Sequence, residues 1–221
     1  MKKIAIIAAM AGELKPLVRG WERRGPNLWA GRVGDCEAVA VAGGMGARAA
    51  ERAVERVLAE ANPDALVSYG WAGALTCAVK AGAVCVISEV VEDGTGERFA
   101  TASRDGYRLI TLDHVAWADE KRALAQKHQA VLVDMEAATV ARMAAARRVP
   151  FYCFKGISDG YADRLPDFNR FVDTERGELK KGALVAYAAV RPVYWGSLWR
   201  MGKNSGVAAD GLVGLVKESL K

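Results

Sequence analysis

The chain has 221 residues, enough for one domain with a substantial core and too few for two of ordinary size. Apolar residues make up 52% and charged residues 26%, proportions that exclude a disordered or low-complexity chain. The net charge of +5 arises from 31 Lys and Arg interspersed with 26 Asp and Glu, without the basic block of a nucleic-acid-binding surface, and no apolar run reaches the length of a membrane span.

Residues 1–11, two lysines followed by an apolar run ending in Ala9-x-Ala11, imitate a short signal peptide. The run is at the short limit for such a segment, and cleavage would remove the edge that presents Glu13, so a buried first strand over 3–9 is expected. Further Val/Ile/Ala-rich runs at 37–42, 65–69, 83–91, 131–133 and 151–157 suit strands covered on both faces. Between them, 47–61 reads as a helix with Ala50, Val54, Val57, Leu58 and Ala61 on one stripe, stopped by Asn62-Pro63-Asp64. Residues 137–148 form a second, Ala-rich helix ended before Pro150, and 92–105 read as a surface loop. A long helix is expected over 167–189, and another helical segment over 194–220 after Arg191-Pro192.

Strands alternating with helices predict an α/β fold, a three-layer α/β/α domain around a mixed, mostly parallel central sheet. Residues 1–221 are read as one domain, with 191–221 as a helical tail. Cys36, Cys77, Cys85 and Cys153 form no C-x-x-C pair and suit a reducing, cytoplasmic setting. His114 and His128 stand on no zinc spacing with cysteine, so no metal is expected.

Three carboxylates carry the functional signal: Glu13, Glu136 and Asp159 each lie just past a strand-like run. In an open α/β sheet such positions converge on one crevice, and carboxylates gathered there suggest acid/base chemistry on a small molecule. Singly, each has a plain alternative. Glu13 and Glu136 suit the first turn of a helix, Asp159-Gly160 suits a turn, and Met135 suits a core.

The segments from Ile4 to Leu14 containing Met10 and Glu13, Gly43-Gly-Met-Gly46, Tyr69-Gly-Trp-Ala-Gly73-Ala-Leu75, Val133-Asp-Met-Glu136-Ala137 and Ile157-Ser-Asp159 together resemble the purine and uridine phosphorylase superfamily. Within it, they are similar to the branch of methylthioadenosine/S-adenosylhomocysteine nucleosidases. The resemblance runs from about residue 3 to residue 160 and implies hydrolysis of the N-glycosidic bond of an adenine nucleoside through an oxocarbenium-like transition state. It makes Asp159 the general acid for N7 of the leaving adenine, a job that needs a carboxyl kept protonated by burial and neighbours. Glu13 becomes the group that activates water, and Glu136 the acceptor of ribose hydroxyls whose charge favours the cationic sugar. Met135 packs on the ribose in this scheme. Gly46, Gly70, Trp71, Ala72, Gly73, Asp113, Val115 and Ser158 complete the implied substrate-binding set. A homodimer without metal or organic cofactor is also implied.

The chain departs from that pattern in places. Trp71 stands where the family loop has a small residue, which favours water over phosphate as nucleophile. Arg48 at a helix start keeps a phosphate-dependent nucleoside phosphorylase as the alternative, with phosphate as co-substrate. Val115 and Ala116 occupy the place of the aromatic expected to stack on adenine, leaving Tyr107, Trp117 and Tyr161 as candidates for the base pocket. The tail mixes Tyr194, Trp195, Leu198, Trp199 and Met201 with Arg191, Arg200 and Lys203, a composition suited to a membrane interface. In this the chain resembles the hopanoid-associated branch, which removes adenine from the lipid-linked nucleoside adenosylhopane. Peripheral contact with the inner face of the membrane follows from that likeness, and packing on the domain or on a second subunit is the competing account. From another class, Gly44-x-Gly46-x-x-Ala49 with Asp64 further on imitates the dinucleotide fingerprint of a nicotinamide oxidoreductase, but it follows the second strand and leaves the three carboxylates without a role. A silent nucleoside-binding protein is the remaining alternative.

Overall fold

The computed structural model describes residues 2–173 and 175–220. In chain order the elements are β1 (Lys3–Ala8), α1 (Ala11–Leu14), β2 (Glu22–Gly25), β3 (Leu28–Val33), β4 (Cys36–Ala42), α2 (Ala47–Glu60), β5 (Ala65–Ala74), β6 (Val84–Glu92), β7 (Arg98–Ala100) and β8 (Tyr107–Thr111). They continue with α3 (Lys121–His128), β9 (Leu132–Asp134), α4 (Ala137–Arg147), β10 (Phe151–Asp159), β11 (Val172–Asp173), β12 (Glu178–Leu179), α5 (Lys181–Ala189) and α6 (Trp195–Ser219).

β1 lies between β4 and β5, parallel to both, and its residues Ile4 to Ala8 are buried. A strand covered on both faces has no use for alternation, which is why the run reads as uninterrupted Ile and Ala. One face of the sheet packs against α2 and α4 through Ala50, Val54, Val57, Ala138, Val140 and Ala144. The other packs against α1 and α6 through Leu14, Leu212 and Val216. These are the three layers, with a mixed sheet between them. α2 keeps Glu51, Arg52 and Glu55 exposed and yields to extended backbone at Ala61, ahead of Pro63.

The sheet has ten strands, in the order β10-β6-β8-β9-β5-β1-β4-β3-β2 with β7 beside β6. β10 pairs with β6 on one side and with β5 on the other, so β5, β10, β6, β8 and β9 close into a small barrel. Parallel pairing holds among β4, β1, β5 and β10 and among β6, β8 and β9, and the antiparallel pairs join and flank these groups. α6 lies directly on β10, where a Cβ at Gly156 would come within 2.7 Å of the Ala208 Cβ.

The long helix expected over 167–189 does not form. A 3-10 turn, Phe168–Arg170, is followed by the β11–β12 hairpin, and helix begins only at Lys181. Two local features explain the break. The Asp167 carboxylate accepts the Asn169 N–H at 3.1 Å, and Gly177 takes a φ of 74° in the hairpin turn. The Gly177 carbonyl in turn accepts the Met45 N–H at 2.9 Å, tying the hairpin to the loop before α2. The stretch 92–105 is not all loop, since β7 pairs with β6 there. Residues 195–219 are one helix, as expected of the tail.

Candidate active site

Three elements end at one cavity. Glu13 is the third residue of α1, and its Oε2 accepts the Met10 N–H at 2.7 Å, reaching back over its own helix start as a capping carboxylate does. Its other oxygen does something a cap does not require. Oε1 accepts the Trp71 N–H on β5 at 2.7 Å, and a Cβ at Gly70, whose φ is 148°, would sit 2.5 Å from it. Glycine is needed there because backbone and carboxylate meet. Glu13 is 2% exposed, and burial raises its pKa against the pull of these N–H groups and of Lys155.

Glu136 precedes α4 but does not cap it. Asp134 takes that role, accepting the Ala137 N–H on Oδ2 at 3.0 Å, which frees Glu136 to face the cavity. There its Oε1 accepts the Gly46 N–H at 2.7 Å. Poor access to bulk water, and then the charge of Asp134, push the Glu136 pKa up to about 8, with Lys155 opposing them.

Lys155 is the cation beneath these acids. Its Nζ lies 2.7 Å from Asp134 Oδ2 and donates to Ser68 Oγ at 3.1 Å, while the Thr111 hydroxyl donates to Asp134 Oδ1 at 2.7 Å. Burial works against the Lys155 charge, but Asp134, Cys153 and Glu136 together outweigh it and the pKa is raised. So buried a pair persists only when fully bonded, as this one is. Asp159 ends β10, accepting the Ser158 hydroxyl on Oδ1 at 2.7 Å and pairing through Oδ2 with Lys121 Nζ, also at 2.7 Å. Its two oxygens are therefore held by a hydroxyl and an ammonium group at equal distance.

The cavity has a volume of about 440 Å³. Of the residues singled out in the sequence, Glu13, Trp71, Ala72, Gly73, Val115, Met135, Glu136, Ser158 and Asp159 line it. Gly46 and Gly70 stand behind the carboxylates they contact. Two candidates turn away. Asp113 is exposed and bonds His114 Nδ1 at 2.6 Å, and Arg48 is exposed and pairs with Glu175 at 3.2 Å. Trp71 reaches across to α6, where its Nε1–H donates to the Ser205 carbonyl at 3.0 Å, so its single donor is already used.

Of the three aromatic candidates for the base pocket, Trp117 is at the cavity wall; Phe168, which the helix assignment obscured, joins it there. The peptide of Val115 is engaged at both atoms: its N–H donates to Asn169 Oδ1 at 2.8 Å and its carbonyl accepts from Nδ2 at 2.9 Å. Lys121, Asp134 and Asn169 line the cavity as well. Lys155 was legible as a lone cation inside an apolar strand run, whereas Lys121 and Asn169 carry no such signal. The nicotinamide alternative loses its two anchors: the Gly46 N–H belongs to Glu136, and Asp64 accepts the N–H groups of Lys2 and Lys3 at 2.6 and 3.0 Å. Among the described residues no group of His, Cys, Asp and Glu could hold a metal ion.

A mixed α/β sheet with acids collected at its strand ends over one cavity defines an enzyme fold that acts on a small molecule. The sequence matches the family model of the phosphorylase superfamily over residues 3–118 and 95–191, and the chain belongs to that superfamily of enzymes. Among solved structures it is similar to the 5′-methylthioadenosine/S-adenosylhomocysteine nucleosidase of Neisseria meningitidis in complex with methylthio-immucillin-A, at 18% identity and a TM-score of 0.73, covering 100% of this chain and 99% of the other. Futalosine hydrolase of Helicobacter pylori superposes with a TM-score of 0.72 at 15% identity over 99% and 97% of the chains. The 5′-methylthioadenosine nucleosidase of Arabidopsis thaliana does so with 0.71 at 17% identity over 100% and 95%. No curated protein matches the sequence.

Proposed function

We propose that the chain hydrolyses the N-glycosidic bond of a 5′-substituted adenine nucleoside, and the observation that carries this is the meeting of Glu13, Glu136 and Asp159 in one cavity. Glu13, whose raised pKa makes its carboxylate a stronger base, activates the water that attacks C1′. Glu136 binds the ribose hydroxyls beside Met135, and in its charged form it favours the developing sugar cation over the neutral substrate. Asp159 delivers the proton to the leaving base. Phe168 and Trp117 are the apolar surfaces available to the purine.

Water is favoured over phosphate because Arg48 is held by Glu175 outside the cavity and Trp71 fills the space beside Glu13 without a spare donor. A lipid-linked 5′ group such as that of adenosylhopane is the finer reading. It is supported by Tyr194 and Met201, which line the cavity next to the exposed Trp195 and Trp199. A cytoplasmic homodimer resting at the membrane surface completes the proposal; no described helix is long and apolar enough to cross a membrane.

The test is adenine release from adenosine, methylthioadenosine, S-adenosylhomocysteine and adenosylhopane, with and without phosphate. Phosphate-independent release is expected. Strict dependence on phosphate would make the enzyme a phosphorylase, and no release from any of them would end the adenine assignment.

A further inference from the structure

We propose that Lys121 is the proton partner of Asp159, supplying the proton that Asp159 passes to the departing base. This rests on the nucleosidase reading above and adds a residue to it. Lys121 is the first residue of α3, only 4% exposed, and it lines the same cavity as the three acids. Its Nζ is 2.7 Å from Asp159 Oδ2 and donates to the Gly160 carbonyl at 3.3 Å.

Stability alone is a poor reason for this lysine. A cation in the first turn opposes the helix dipole, and a buried ion pair gives up in desolvation much of what it gains in attraction. The other acids nearby are committed elsewhere. Asp163 accepts the Gly160 N–H at 2.7 Å and faces Arg200 of α6 at 3.7 Å. Glu120 accepts the Trp117 N–H at 2.7 Å and bonds His114 Nε2 at 2.9 Å, while Asp113 holds the other ring nitrogen. Asp119 stands exposed at the cavity rim. Asp159 is the carboxylate that Lys121 reaches.

The protons balance as follows. The C1′–N9 bond breaks and its electron pair goes to the base; Asp159 takes a proton from Nζ and gives one to a base nitrogen, leaving Lys121 a neutral amine. The water oxygen bonds C1′ and loses one proton to Glu13. Glu13 then holds one proton more and Lys121 one fewer, and exchange with solvent restores both. Lys121 acts through Asp159, which makes it a positioning residue with a proton to give.

The experiment compares wild type, Lys121→Met and Lys121→Arg on an adenine nucleoside and on p-nitrophenyl riboside, whose phenolate departs without a proton, across pH 5 to 9. For Lys121→Met, kcat on the nucleoside should fall by about 10²-fold or more with KM little changed. The remaining activity on the nucleoside should rise toward the acid end, where solvent supplies the proton, and the aryl riboside should be cleaved at close to the wild-type rate. Lys121→Arg keeps the ion pair but holds its proton, so it should fold, bind and still lose kcat on the nucleoside alone. Equal losses on both substrates, or a Lys121→Arg enzyme of wild-type kcat, would overturn the proposal. Should Lys121→Met not fold, the Lys121→Arg comparison decides by itself. Wild-type protein that releases base from no nucleoside overturns the nucleosidase reading and this inference together, a result distinct from loss in the variants alone.

Discussion

The floor and the mouth of the cavity are built on different physical terms. The floor is made of α1, the ends of β9 and β10 and the middle of β10, where Glu13, Asp134, Glu136, Lys155 and Asp159 accept or donate at distances near 2.7 Å. The mouth is made of the loop holding Val115 and Trp117, the turn holding Phe168 and Asn169, and the start of α6, whose Trp195 and Trp199 are 56% and 68% exposed. Charges out of water tolerate one arrangement only, so the floor is over-determined. Apolar and exposed groups can be exchanged at small cost, so the mouth is where substrate preference can vary without loss of fold.

Substitutions should separate the two regions. The largest effect is expected at the acids themselves: Asp159→Asn and Glu13→Gln should each lower kcat by about 10³-fold or more while an adenine-containing ligand still binds, measured by single-turnover release and by calorimetry. Near-normal turnover in either would remove that residue from the chemistry. Next comes Lys155→Met, which strands Asp134 and should cost about 3–5 kcal/mol, seen as a midpoint of thermal unfolding lower by roughly 10 °C. Adding Asp134→Leu should recover part of that loss. If it does not, the pair is not what holds the floor together.

A pH effect follows from Glu136, whose folded pKa of about 8 lies above the ordinary carboxylate value of 4.5. The folded state then binds a proton more tightly than the unfolded one. The stability this contributes is complete below about 4.5 and is lost as pH rises through about 8. Glu136→Gln should therefore gain in unfolding midpoint over wild type as pH is raised from 5 to 9, and a constant difference across that range would sink the assignment. The smallest effect is expected at the mouth. Replacing Trp195 and Trp199 by serine should move the unfolding midpoint by no more than about 2 °C and leave adenosine cleavage unchanged, while reducing turnover of a lipid-linked nucleoside presented on vesicles.

The same division decided what could be read from the chain. β1, β4, β5 and β10 were visible because strands lying between two covering layers are largely apolar, and the acids after them stand out by contrast. Trp71 stood out as a bulky residue in a Gly-rich loop, and its indole N–H reaches the Ser205 carbonyl of α6. The mouth was opaque. Residues 167–189 have helical composition, but Asp167 bonding its own turn and Gly177 at positive φ are local choices that override it. With the helix misplaced, Phe168 and Asn169 could not be assigned to the cavity. Asp113 and Arg48 turn away from the cavity for a related reason. Sequence position places a residue on an element, but His114 and Glu175 beside them decide where the side chain turns.

Asn169 has one more consequence. Its carboxamide offers the Val115 peptide one acceptor and one donor side by side, a pattern that the amidine edge of adenine also presents. On the nucleosidase reading proposed above, Asn169 is a resident competitor for the edge that would bind the base. A base that claims this peptide makes two hydrogen bonds and breaks two, an exchange close to neutral, so its net attraction has to come from stacking and dehydration. Selectivity is left intact by such an exchange, because a base with the wrong edge forfeits both bonds and cannot evict the side chain without leaving the peptide bare.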